Sequence, residues 1–234
     1  MTKKRVFMLG AGFMQGVAIR AARALGCTVI AADGNPSAVC ATEADEFVCI
    51  DLKDTACLID YARYLQQNGG LDAVFTAATD FSAAVAAIAA ACGLRGHTLE
   101  AALNATDKVR MRECFRKAGV PSPAFIELTA ADLAAPAAVA SSVVVPVAAQ
   151  ENSRCSDADT AVANALKQRL GGLAGCFPLV VKPVDNMGAR GCSLVRDVAG
   201  LQEAAVSALR YSRSGRVIVE EYIEGSEFSI EGLV

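Results

Sequence analysis

At 234 residues the chain is long enough for one large domain or two small ones, and its 53% hydrophobic content supplies an ample core. Much of that content is alanine and aromatics make up only 6%, which fits a helix-rich α/β protein and argues against an all-β sandwich. A net charge of −3 offers no basic surface for nucleic acid or an anionic membrane. The nine cysteines form no CxxC pair and there is a single histidine, His97, which argues against a structural zinc site. Scattered cysteines in apolar settings read as reduced, buried thiols of a cytoplasmic protein. The apolar start is too short for a secretory leader, and residues 83–94 are too short to span a bilayer.

The first hundred residues alternate strand and helix. A strand is predicted at 5–9, running into Gly10, Ala11 and Gly12, and a helix at 14–25 with Val17, Ala21, Ala24 and Leu25 on one face. Strands follow at 28–32, 47–50 and 73–76, with helices at 55–67 and 82–92. This spacing implies βαβ units and a parallel sheet. Residues 99–119 read as two helices meeting near Thr106, with Thr106 or Asp107 as cap of the second and Glu113 and Arg116 on its polar face. A strand at 124–128 opens a new domain.

Residues 130–172 are rich in Ala and Val and read as an insertion or partly mobile segment, with a helix at 161–170. Strands at 179–182, 192–196 and 217–220 with a helix at 198–209 complete an α+β unit, and a last strand is predicted at 228–234. A final apolar strand without neighbours leaves a sheet edge to be covered, so association with a second copy or poor order near the C-terminus is expected.

Gly10, Gly12, Gly16 and Asp33 resemble a dinucleotide fingerprint, in which glycines admit a pyrophosphate and the acid holds a ribose. Gln15 stands where the third glycine belongs, which favours a structural or substrate-lining turn. An NAD(P)-dependent oxidoreductase using these residues is the alternative reading. Lys108 at a helix start reads on its own as a solvated lysine. Lys182 leaves an apolar strand just before Pro183, so its stem is partly buried, and a buried lysine needs an anionic partner. The loop that follows, Asn186-Met187-Gly188-Ala189-Arg190-Gly191, can fold over phosphates with its N–H groups and Arg190 as donors, or close a salt-bridged hairpin. Glu220 and Glu221 are strand neighbours and point to opposite faces, which disfavours a paired acid/base or metal site. Adenine recognition by a carboxylate or carbonyl there, with the Ile223 N–H, fits better. Glu227 would reach a ribose, and Cys192 and Leu194 offer apolar surface to a base. His97 reads as an ordinary loop residue.

In this order the segments ATDKVRMRECFRKAGVPSPAF, FPLVVKPVDNMGARGCSLVRD and VIVEEYIEGSEFSIEGLV resemble the ATP-grasp superfamily of carboxylate–amine ligases, biotin carboxylase and carbamoyl phosphate synthetase. The opening LGAGFMQGVAIRAARALGCTVIAADGNPSA resembles their pre-ATP-grasp domain. The resemblance implies a Rossmann-like pre-ATP-grasp domain at 1–95, a helical linker at 96–122 and an ATP-binding lobe at 123–234. It assigns ATP phosphates to Lys108, Lys182 and the loop of Gly188, Ala189, Arg190 and Gly191. It assigns adenine to Glu220, Glu221, Tyr222 and Ile223, and the ribose to Glu227. ATP would activate a small-molecule carboxylate as an acyl-phosphate for attack by an amine. The family's Mg2+-binding acids lie downstream of the adenine segment, so the resemblance implies a truncated C-terminal lobe, no metal ligands in this chain, at most weak ATP binding and no turnover by it alone. A non-catalytic nucleotide-binding module is the third reading. A homo-oligomer is expected.

Overall fold

The computed structural model describes residues 3–133 and 157–228. The chain divides into two compact units, Met1–Met111 and Arg112–Val234.

The first unit is built on a parallel four-stranded sheet. Its strands are β1 (Arg5–Leu9), β2 (Thr28–Asp33), β3 (Glu46–Cys49) and β4 (Ala73–Thr76), in the order β3-β2-β1-β4. Helices α1 (Phe13–Ala24), α2 (Thr55–Gln67), α3 (Ser82–Ala91) and α4 (Leu99–Thr106) belong to the same unit. Strand periodicity sorts the side chains. Phe7, Leu9, Ile30 and Ala32 join Leu58, Ala62 and Leu65 of α2 and Ile88 of α3 in one core. Met8, Val29 and Ala31 join Ile19 and Ala22 of α1 in another. Both faces are covered, which is why β1 and β2 are almost wholly apolar rather than alternating. The strand order reverses beside β1, so the loops after β1 and β4 meet at a topological switch point.

Helix α5 (Lys108–Lys117) follows at once, its first turn capped by the Asp107 carboxylate, which accepts from the Arg110 N–H at 2.9 Å. On its polar face Arg116 donates to Glu113 at 2.6 Å.

The second unit carries an antiparallel sheet of β5 (Phe125–Thr129), β6 (Leu179–Pro183), β7 (Ser193–Val195) and β8 (Arg216–Glu221), in the order β5-β8-β6-β7. Its helices are α6 (Ala130–Leu133), α7 (Asp157–Leu170) and α8 (Val198–Leu209). Leu128, Leu179, Val181, Val217 and Val219 pack on Leu166 and Leu170 of α7 and on Leu201, Ala205 and Ala208 of α8. The residues between them in register, Val180, Lys182, Ile218 and Glu220, share the opposite face. Arg169 of α7 pairs with Asp132 at 3.0 Å, and that carboxylate also caps Thr129.

Four expectations are corrected. The buried stripe of α1 is Gln15, Gly16, Ile19 and Ala22, whereas Val17 and Leu25 are 62% and 84% exposed. The helix is apolar on two sides, so periodicity alone could not choose between them. The described flanks of 130–172 are part of the fold: Leu133, Val162, Leu166 and Leu170 complete the second core, and α7 begins at Asp157. Most described cysteines are not buried. Only Cys40 and Cys92 are, while Cys49, Cys57, Cys176 and Cys192 are exposed at element ends and polar faces. Phe228 lies outside any strand and is 83% exposed. The rest of the strand predicted at 228–234 lies outside the described residues.

Candidate functional site

The second unit gathers its charged groups around Glu220. This residue is next to last on β8, the central strand of its sheet, paired with Val180 on one side and Phe125 on the other. Its side chain is 3% exposed and sits between two cations. Arg112 of α5 donates Nε–H to Oε1 at 2.6 Å, and Lys182 of β6 donates from Nζ to Oε2 at 2.5 Å. Burial pushes the Glu220 carboxyl upward, but the hydrogen bonds from Arg112 and Lys182, with their charges, outweigh it and hold it below the usual carboxylate range. The Arg112 guanidinium also lies 6.0 Å from the Phe115 ring centroid. Leu194 and Val180 share the register row of Glu220, so an apolar strip runs from the carboxylate to the sheet edge. Glu221 turns the other way and is exposed, its carboxylate near the Ala124 N–H at 3.4 Å. Tyr222, Ile223 and Glu227 follow on exposed, irregular backbone.

The turn after β6 is anchored at its base. Asp185 accepts from Ser212 Oγ at 2.9 Å, Arg213 N–H at 3.0 Å and Ser214 N–H at 2.6 Å. Burial raises this carboxyl, yet those bonds carry it below the ordinary range. Above the base, Asn186 Oδ1 accepts from the Met187 N–H and from Arg190, and Arg190 also reaches the Met187 carbonyl. Gly188, Ala189 and Gly191 all have positive φ, at 71°, 55° and 71°. Glycine is obligatory at 191, because a Cβ would meet the Tyr211 ring at 2.8 Å. Met187, Gly188, Ala189 and Arg190 are exposed.

In the first unit the glycine turn after β1 is filled by protein. Gln15 accepts from the Gly12 N–H at 3.2 Å and donates to the Ala77 carbonyl at 2.6 Å, joining the two loops at the switch point. Asp33 accepts from the Ala11 and Asn35 N–H groups, both at 2.9 Å. A Cβ on Gly16 would sit 2.5 Å from the Cys40 sulfur. Gly12, Gly16 and Asp33 of the dinucleotide-like pattern therefore each have a packing reason. Lys108, the first residue of α5, is half-buried, and His97 is exposed.

Of the residues expected from sequence, Lys182 and Glu220 come into direct contact. Lys182 meets its anionic partner within the sheet. Two residues were missed: Arg112, whose signal was only a basic position on a short polar helix, and Asp185, whose partners come from the turn after α8. Among the described residues no group of three or more His, Cys, Asp or Glu could hold a metal ion. Among them, too, no helix is long and apolar enough to cross a membrane.

The chain is similar in part of its sequence, and in its fold, to ligases and carboxylases. Residues 139–233 match the D-ala D-ala ligase C-terminus family. Over 90 residues the chain is 36% identical to the carbamoyl phosphate synthase large chain of Bifidobacterium animalis subsp. lactis, covering 38% of this chain and 8% of that protein. It is similar in fold to the L-amino acid ligase of Bacillus licheniformis, with a TM-score of 0.62 at 19% identity over 96% of this chain and 45% of that one. The biotin carboxylase domain of 2-oxoglutarate carboxylase from Hydrogenobacter thermophilus, solved as a dimer with MgADP, ADP and bicarbonate, gives a TM-score of 0.60 at 19% identity over 96% and 45%. The chain thus spans less than half the length of each of these relatives.

Proposed function

We propose that this chain is the ATP-binding part of an ATP-grasp ligase that activates a small-molecule carboxylate for attack by an amine or similar nucleophile. The observation that carries the reading is the Lys182–Glu220 pair on the face of the second sheet away from α7 and α8, beside an exposed glycine turn and an irregular strand exit. A lysine on a strand supplies a point charge for phosphate oxygens, and the turn supplies N–H donors. On this reading Lys182 and the turn of Gly188, Ala189, Arg190 and Gly191 hold the phosphates. Glu220 and the backbone of Glu221, Tyr222 and Ile223 hold adenine against Val180 and Leu194, and Glu227 takes the ribose. Lys108 is a further phosphate ligand by resemblance.

In the reaction a carboxylate oxygen attacks the γ-phosphorus and ADP leaves. The amine nitrogen then attacks the acyl carbon and phosphate leaves. Little covalent work falls to the protein, and its contribution is position and charge. The described residues contain no group of three or more His, Cys, Asp or Glu that could hold Mg2+. Small-molecule substrates, a cytoplasmic setting and self-association complete the proposal.

Titration calorimetry with Mg-ATP tests it. The wild-type chain should bind ATP only weakly, and Lys182→Ala should weaken ATP about tenfold further, as expected for one charge-assisted contact, while leaving adenosine nearly unaffected. Protection against heat by NADH but not by ATP overturns the reading in favour of an oxidoreductase.

A further inference from the structure

We infer that Arg112 is a positioning residue for the nucleotide site: it holds the Glu220 charge so that Lys182 is free to transfer to an incoming phosphate. The inference rests on the ATP-binding reading and adds a residue that the sequence did not single out.

The geometry gives the two cations different jobs. Glu220 is buried, and its two oxygens are divided between them, Oε1 to Arg112 and Oε2 to Lys182. A buried carboxylate stripped of its counter-charge is strongly disfavoured, so a single lysine partner would be held in place. With Arg112 present, Lys182 can leave and Glu220 remains paired. Arg112 suits the fixed role. Its guanidinium is a planar, pre-organised fork, its stem rises from a helix, and its side chain is only 18% exposed beside the Phe115 ring. Lys182 suits the mobile role, with a flexible four-carbon stem at the end of β6 and a 22% exposed side chain. The face it shares with Val180 and Glu220 is the one not covered by α7 and α8. Arg112 need not touch the nucleotide at all, since it acts through the carboxylate.

The test is a cycle of Arg112→Met, Glu220→Gln and the double variant. Each is titrated with Mg-ATP and, separately, with adenosine, which lacks phosphate for Lys182. Arg112→Met is expected to weaken ATP about tenfold, the scale of one charge-assisted bond, with adenosine unchanged within about twofold. In the Glu220→Gln background, where no charge needs holding, adding Arg112→Met should shift ATP affinity by less than about twofold. Arg112→Lys, which keeps a cation beside Glu220, should restore most of the ATP affinity. It also serves where the methionine variant melts early. A merely structural Arg112 would lower ATP and adenosine affinity together and give no rescue by Glu220→Gln, and that result overturns the inference. ATP binding that Lys182→Ala weakens but Arg112→Met leaves unchanged overturns it alone, with the ligase reading intact. Absence of ATP binding by the wild-type chain overturns both.

Discussion

Two glycine turns follow two apolar strands in this protein, and they have opposite characters. The turn after β1 is closed by its own side chains. Gln15 and Asp33 take up the backbone N–H groups of Ala11 and Gly12, and Cys40 fills the space beside Gly16. The turn after β6 is anchored at its base by Asp185 and braced by Asn186 and Arg190, yet it leaves Met187, Gly188, Ala189 and Arg190 in solvent. The sheets repeat the contrast. The parallel sheet is covered on both faces, whereas the antiparallel sheet keeps Val180, Lys182 and Glu220 on the face away from its helices. Similar glycine patterns therefore do different things, and what separates them is whether the turn is buried in the protein or stands in solvent.

The contrast breaks most sharply at Glu220. Glu220→Leu leaves two cations without their shared anion and should lower stability by about 3–5 kcal/mol, measured by urea unfolding. A loss under about 1 kcal/mol would mean that the cations reach water and that the pair is a surface feature. Next comes Gly191→Ala, which combines positive φ with a Cβ 2.8 Å from Tyr211. It should cost about 2–4 kcal/mol, against about 1–2 kcal/mol for Gly188→Ala, where φ alone is at fault. Equal losses would show that the tip is as tightly packed as the base. Gln15→Ala removes two bonds at the closed turn and should cost about 1–3 kcal/mol, with faster hydrogen exchange at Gly12. If exchange there stays slow, the turn is held by something other than Gln15.

The smallest effect is one of pH. The Asp185 carboxyl is depressed in the folded chain, so its stabilisation is present at neutral pH. It fades as pH falls below the ordinary carboxylate range through the folded value. Asp185→Asn should be less stable than wild type near neutrality and converge toward it in strong acid. A gap that stays constant with pH would assign the effect to lost hydrogen bonds rather than to charge.

Much of the secondary structure could be read directly. The helix at 55–67 and the strand at 73–76 fall where periodicity placed them, because such patterns act locally. Local rules also separated Glu220 from Glu221, since strand neighbours alternate faces. They failed where two answers were locally equal. The α1 helix has two apolar sides, and only the sheet beneath it selects Ile19 and Ala22.

From its sequence alone this chain determined its alternating elements, its resemblance to the ATP-grasp enzymes and the candidacy of Lys182 and Glu220. These follow from short-range periodicity and the order of motifs. Tertiary structure alone decided the partners. Arg112 and Glu220 are 108 positions apart, and Asp185 and Ser214 are 29 apart. No local preference specifies such pairs. They exist because strand register and helix packing bring one charge within reach of another, and burial then makes the pairing obligatory.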